Sequence, residues 1–251
     1  SGFLVLGSYA RSDSWMEFAF KRARRIFPAL AVCFLAIALF YPDKAAETAL
    51  YYLSGGLAGH SANPSLWSLL PEQTAYALLA ILWACGFYKR GIYAAVACGV
   101  SAWLAAYLFA HPAILPGHLN YYPFLPVGFF AGNAAWLYRE QIKPYAWAAW
   151  PVLIVCALWF NAWTFGPLAA SLVVVGQYRV RWSPSIDLSY GIYLFHFLIL
   201  WPLRGLPMVI AAPIFAVATV GVALASWYLV EKPCLKGWSA PLTTATPERV
   251  E

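Results

Sequence analysis

The chain has 251 residues, of which 63% are hydrophobic and only 10% charged, and its formal net charge is +6. A soluble domain carries about a quarter charged residues, so there is too little charge here to solvate the surface of one. With a mean hydropathy of +0.66, the sequence predicts an all-α, polytopic transmembrane helical bundle whose outer surface faces lipid. The 13 Trp and 16 Tyr fit this, because their rings favour the headgroup level of a bilayer. Residues 1–238 read as one transmembrane domain. Residues 239–251, SAPLTTATPERVE, are polar and proline-containing and read as a disordered cytoplasmic tail.

A spanning helix needs about 20 mostly apolar residues. The opening SGFLVLGSY is apolar but too short to cross, and it lacks the initiating Met, basic segment and cleavage pattern of a signal peptide. It reads as the end of a span that starts upstream. Ser14 and Glu17 have capping-box spacing, so a helix is predicted to start there and to continue into a span over Ile26–Tyr41, kinked at Pro28. In Glu17–Leu30, EFAFKRARRIFPAL, the three cations Lys21, Arg22 and Arg25 are three or four residues apart and share a face. They suit anionic headgroups of the bilayer, or the phosphates of a cytosolic ligand, whose oxygens match the guanidinium fork.

Ser65–Leu79 reads SLWSLLPEQTAYALL. Pro71 belongs in the first turn of a helix, Glu72 then lies near the positive end of the dipole, and Tyr76, four residues on, shares its face. Spans follow over Thr74–Tyr88, Ile92–Ala110, Tyr121–Tyr138 and Tyr145–Trp163, with a short one over Gly166–Gly176. The next, Leu188–Leu203, lies in DLSYGIYLFHFLILW. His196 has Phe on both sides and lies eight residues in, roughly 12 Å along the helix and near the midplane. Ser189, Tyr193 and His196 make a polar stripe predicted to face the bundle interior. Interhelical hydrogen bonding and a functional site are both compatible with such a stripe. The final span covers Met208–Val230. Pro233 is predicted to stop it, which leaves Glu231 at a helix C-terminus, where a carboxylate opposes the dipole.

Counting basic residues in alternate loops orients the chain. Arg11, Lys21, Arg22, Arg24, Arg25, Lys89, Arg90, Arg139, Lys143, Arg179, Arg181, Lys232, Lys236 and Arg249 fall on one side, and only Lys44 and Arg204 on the other. This alternation predicts eight full spans plus a truncated first one, in the cell's inner (cytoplasmic) membrane with the C-terminus cytoplasmic. Topology then explains the positive charge, and no nucleic-acid partner is implied. The five cysteines lie in or beside spans without CxxC spacing, so neither a disulfide framework nor a metal site is expected.

Five segments in this order, Ser1–Leu4, Lys21–Pro28, Trp67–Tyr76, Ser189–His196 and Glu231–Pro233, resemble the motifs of the integral-membrane acyltransferase family 3. The chain departs from those motifs at Lys21, Pro71 and Ala75. The resemblance implies ten spans, of which this chain holds the second to the tenth. It also implies transfer of an acyl group, often acetyl, from cytosolic acyl-CoA to a hydroxyl of a cell-surface or lipid-linked saccharide. Acyl-CoA is then a co-substrate with no resident cofactor, and the partners are the saccharide acceptor and the lipid bilayer. Lys21, Arg22, Arg25 and Glu231 would serve the donor. Ser189, Tyr190, Tyr193, Trp67 and Tyr76 would serve the acceptor, and His196 and Glu72 the chemistry. The family's favoured catalytic His would lie upstream of Ser1, so the isolated chain is expected to have little activity. A transporter or flippase of a lipid-linked saccharide or small acid is the other reading, since intramembrane His and Glu can relay protons. No internal repeat of the kind common in transporters is visible.

Overall fold

The structure is a computed structural model that describes residues 2–114, 122–161, 164–176 and 186–236. The predicted tail over 239–251, Arg179, Arg181 and Arg249 lie outside the described residues. Among the described residues there is no strand, in keeping with the all-α prediction. The helices are α1 (Gly2–Tyr9), α2 (Trp15–Phe40), α3 (Pro42–Leu53), α4 (Leu69–Ala84), α5 (Gly91–Ala110), α6 (Phe124–Leu137), α7 (Arg139–Ile142), α8 (Ala149–Leu158), α9 (Phe165–Val175), α10 (Ser189–Leu203), α11 (Met208–Ser226) and α12 (Lys232–Lys236). A 3₁₀ turn, Pro64–Ser68, precedes α4, and a π-helical turn, Trp227–Glu231, joins α11 to α12.

Three stretches are long and apolar enough to cross a membrane: α2, α5 and the run Met208–Leu235. This is a membrane protein by that measure. α4, α6, α8, α9 and α10 are shorter, from 10 to 16 residues. The predicted span Tyr145–Trp163 is divided: Lys143–Ala148 is a 3₁₀ turn, α8 ends at Leu158, and residues 162–163 lie outside the described ones. Pro144 and Pro151 each lack an N–H, so each is accommodated at the start of a helical segment.

The capping prediction holds in part. Ser14 Oγ accepts the Glu17 N–H at 3.1 Å, which starts α2 at Trp15. The Glu17 carboxylate reaches back to the Asp13 N–H at 2.7 Å, one residue before the position a capping box would use. α2 then runs for 26 residues with Pro28 inside it.

The chain divides into two compact units. The first holds residues 1–18 and 67–184. In it α1 lies against α6 at backbone distance: a Cβ on Gly2 would stand 2.1 Å from the Phe129 carbonyl oxygen, and one on Gly132 2.4 Å from the Phe3 nitrogen. Only glycine permits that approach. Val5, Leu6, Leu79, Ala94 and Phe129 form the adjoining core, with Tyr88, whose hydroxyl accepts from Asn133 Nδ2 at 2.9 Å.

The second unit holds residues 19–66 and 185–251. α10 and α11 cross at Gly191, where a Cβ would meet Ala223 Cα at 3.0 Å. α10 is tied to α2 and to Tyr41, the residue after it, by polar bonds to main-chain oxygens. Tyr190 Oη donates to Ile26 O at 2.9 Å, Cys33 Sγ to Leu194 O at 3.5 Å and Tyr41 Oη to Leu198 O at 3.5 Å.

Candidate functional site

The site residues predicted from sequence fall into two groups, one in each unit. In the second unit, α2 presents Lys21, exposed, and Arg22 and Arg25, half-buried. Arg25 is committed to a partner the sequence reading passed over: its Nη2 lies 2.5 Å from Asp187 Oδ2. The other oxygen of Asp187 accepts from the Ser189 N–H at 3.1 Å and the Ser189 hydroxyl at 2.6 Å, an Asx-type turn that leads into α10. Burial pushes the Asp187 carboxyl up. The hydrogen bonds from Ser189 and Arg25, with the guanidinium charge, outweigh it and hold the group below its ordinary range.

Glu231 is 2% exposed, and its Oε1 accepts from the Ser226 hydroxyl at 2.8 Å. At the α-helical 100° per residue, positions five apart would lie about 140° around the helix. The π turn Trp227–Glu231 widens the register and brings the two to one side. The prediction that Pro233 ends the helical run is corrected. α12 starts at Lys232 and takes Pro233 in its first turn, where a missing N–H costs nothing. Glu231 is therefore enclosed between two helical segments, and the charges of Arg25 and Asp187 both act on it.

Further along α10, Ser189 is exposed, and Tyr193 and His196 are half-buried. His196 Nδ1 lies 2.8 Å from Tyr193 O and 3.1 Å from Ile192 O. Both are carbonyls of its own helix, so in the neutral ring Nδ1 carries the proton and Nε2 the lone pair. The Tyr193 hydroxyl donates to Ser65 O, and the Ser65 hydroxyl bonds Tyr193 O at 3.1 Å. Asn63, fully buried, is the hub of this junction: its Nδ2 donates to Leu194 O at 2.6 Å, and its Oδ1 accepts from the Ser65 hydroxyl at 2.6 Å. Tyr190 spends its hydroxyl on Ile26 O. Asn63, Ser65, Ser226 and Asp187 are thus residues the sequence reading missed.

In the first unit, Pro71 and Glu72 occupy the first turn of α4 as predicted. The Tyr76 hydroxyl donates to Glu72 Oε1 at 2.5 Å, a short bond to a carboxylate. The Trp67 ring lies 5.2 Å from that of Tyr122, centroid to centroid, and Tyr76 meets Phe18 edge-on at 6.1 Å. Among the described residues no group of three or more His, Cys, Asp or Glu is placed to hold a metal ion.

No protein-family profile matches the sequence, and no solved structure matches it. Among curated proteins the chain is similar to Nodulation protein 10 of Rhizobium leguminosarum bv. viciae, with 28% identity over 94% of this chain and 80% of that protein.

Proposed function

We propose that the chain is a membrane O-acyltransferase that moves an acyl group from cytosolic acyl-CoA to a hydroxyl of a cell-surface or lipid-linked saccharide. The observation that carries this reading is the setting of His196. A titratable ring stands inside an apolar helix, with Nδ1 satisfied by its own helix and Nε2 left with its lone pair. Near neutral pH such a nitrogen can take or hold a hydroxyl proton. The motif resemblance and the similarity along nearly the whole chain to a nodulation protein support the same reading.

In the reaction the saccharide hydroxyl oxygen attacks the thioester carbonyl, the C–S bond breaks, and the hydroxyl proton ends on the departing thiolate. Arg22 and Lys21 face the donor phosphates, and Asp187 fixes the fork of Arg25 beside them. The lone pair of His196 Nε2 accepts from the acceptor hydroxyl and orients it for attack. Within the first unit taken by itself, the Glu72 carboxylate beside Tyr76 can accept from a saccharide hydroxyl. The same reading puts the chain in the inner membrane with its C-terminus cytoplasmic, on the strength of the basic-residue count alone.

The test uses membranes containing the protein expressed from its complete reading frame, with acyl-CoA labelled in the acyl group. Labelled glycan is expected, and His196→Ala should lower labelling by about tenfold or more at unchanged membrane abundance. If labelling and abundance fall in parallel, the histidine is packing glue. Glycan that crosses the membrane without acquiring label would make the protein a transporter.

A further inference from the structure

Within the second unit a groove of about 690 Å³ runs between α2, α10 and α11. Its walls are apolar, with Ala36, Phe40, Phe195, Ile199, Ala218 and Val222 among them, and Ser226 is a polar residue at one end. On α2 at 100° per residue, the groove residues Val32, Ala36 and Phe40 share an arc of about 80° with Arg22 and Arg25. Lys21 lies at the edge of that arc. The cations therefore stand at one end of the strip of helix that lines the groove. Beside that same end, Ser226 bonds the buried Glu231, on which the Arg25 and Asp187 charges act.

An apolar trough that leads away from a cluster of cations is complementary to a hydrocarbon chain carrying a polyphosphate head. Both α2 and the run containing α11 are long and apolar enough to cross a membrane, so such a chain can enter sideways from lipid. We infer that the groove seats the hydrocarbon of the acyl donor, with its phosphates toward Arg22 and Lys21, and that the preferred acyl group is much longer than acetyl. This rests on the acyl-CoA reading given above. Val32 to Phe40 on α2 and Phe195 to Leu203 on α10 each rise about 12 Å. At about 1.2 Å of extension per chain bond, that length holds about ten carbons.

The experiment measures equilibrium binding of CoA and of acetyl-, hexanoyl-, decanoyl- and palmitoyl-CoA, labelled in the CoA moiety. The full chain is held in phosphatidylcholine nanodiscs, and binding to empty nanodiscs is subtracted. Affinity should rise about fourfold per added methylene up to about ten carbons and then level off. Ala36→Trp and, separately, Ala218→Trp should flatten the series while leaving binding of free CoA unchanged. A series already flat in the unaltered protein would overturn the groove assignment while leaving the acyl-CoA reading in place. So would an unchanged series in both groove variants when each binds free CoA normally. If neither CoA nor any acyl-CoA binds, both readings fall together.

Discussion

Asn63→Ala is the substitution whose cost the structure defines most closely. Asn63 is fully buried and makes two bonds of 2.6 Å, one from Nδ2 to Leu194 O and one from the Ser65 hydroxyl to Oδ1. Its loss spares the two partners of those bonds but removes the acceptor of the buried Ser65 N–H, which lies 3.3 Å from Asn63 Oδ1. Leu194 O retains the Cys33 thiol at 3.5 Å and its place in the α10 ladder, and the Ser65 hydroxyl retains Tyr193 O. A penalty for an unsatisfied buried group therefore applies at the Ser65 N–H alone. Interhelical hydrogen bonds in membrane proteins average about 0.6 kcal/mol and reach about 1.7. One such bond, to Leu194 O, with the local bonds to Ser65 and a small cavity, gives about 1–3 kcal/mol. Asn63→Asp should cost more, because it sets an oxygen against Leu194 O and buries a charge. Stability is read from unfolding in mixed micelles, and the packing of α10 from a crosslink between cysteines placed at Ala62 and Trp201, now joined through Trp201 Nε1 to Ala62 O at 2.7 Å. A loss below about 0.5 kcal/mol with the crosslink retained, or Asp tolerated as well as Ala, would refute the claim that this junction holds α10.

Asp187→Asn should cost about 0.5–1 kcal/mol at neutral pH, because the pair with Arg25 is more than a third exposed on the carboxylate side. The folded pKa lies below the ordinary value, so the contribution is full above about pH 4 and disappears only below it. A difference between the variant and the unaltered protein that has vanished by about pH 5.5 would contradict that assignment. Gly191→Ala forces a Cβ to within 3.0 Å of Ala223 Cα and should cost about 1–3 kcal/mol in thermal unfolding, whereas Gly128→Ala inside α6, with nothing within 4 Å, should cost nothing and gain up to about 1 kcal/mol. Glu72→Gln keeps an acceptor for the Tyr76 hydroxyl, so stability should change by less than about 1 kcal/mol while the acceptor KM rises. An unchanged KM would assign the pair to the first turn of α4 and nothing more.

Much of the fold was legible because lipid and helix geometry act on composition and short-range spacing. The start of α2 followed from Ser14 and Glu17, and that of α4 from Pro71 and Glu72, since a cap and a proline are local signals. The charge alternation grouped Lys44 with Arg204 across 160 positions. Both lie over the Trp201 ring, at 5.2 and 3.3 Å from its centroid. The boundary that failed, at Pro233, failed for a local reason too. Pro forbids a helix interior, but it also suits a first turn, and only the π turn before it decides between the two.

The site was less legible because its partners are distant in sequence and chosen by packing. Arg25 was visible as one of three cations sharing a face, yet nothing in that pattern says that one of them is tied to Asp187, 162 positions away, while the others continue the strip of α2 that lines the groove. Asp187 does carry a signal: Asp two residues before Ser at the head of an apolar helix forms a local turn with one oxygen and has a second to spend. Asn63 and Ser65 flank Pro64 in the same way, polar groups at a turn beside a membrane helix, where main-chain oxygens are the partners at hand. Tyr190 and Tyr193, which motif and stripe marked for an acceptor, spend their hydroxyls on Ile26 O and Ser65 O. That leaves His196 Nε2 as the stripe's reactive atom. Its reach depends on the Asn63 junction that fixes α10, so a loss of transfer in Asn63→Ala should come with a shifted α10 crosslink and in His196→Ala without one.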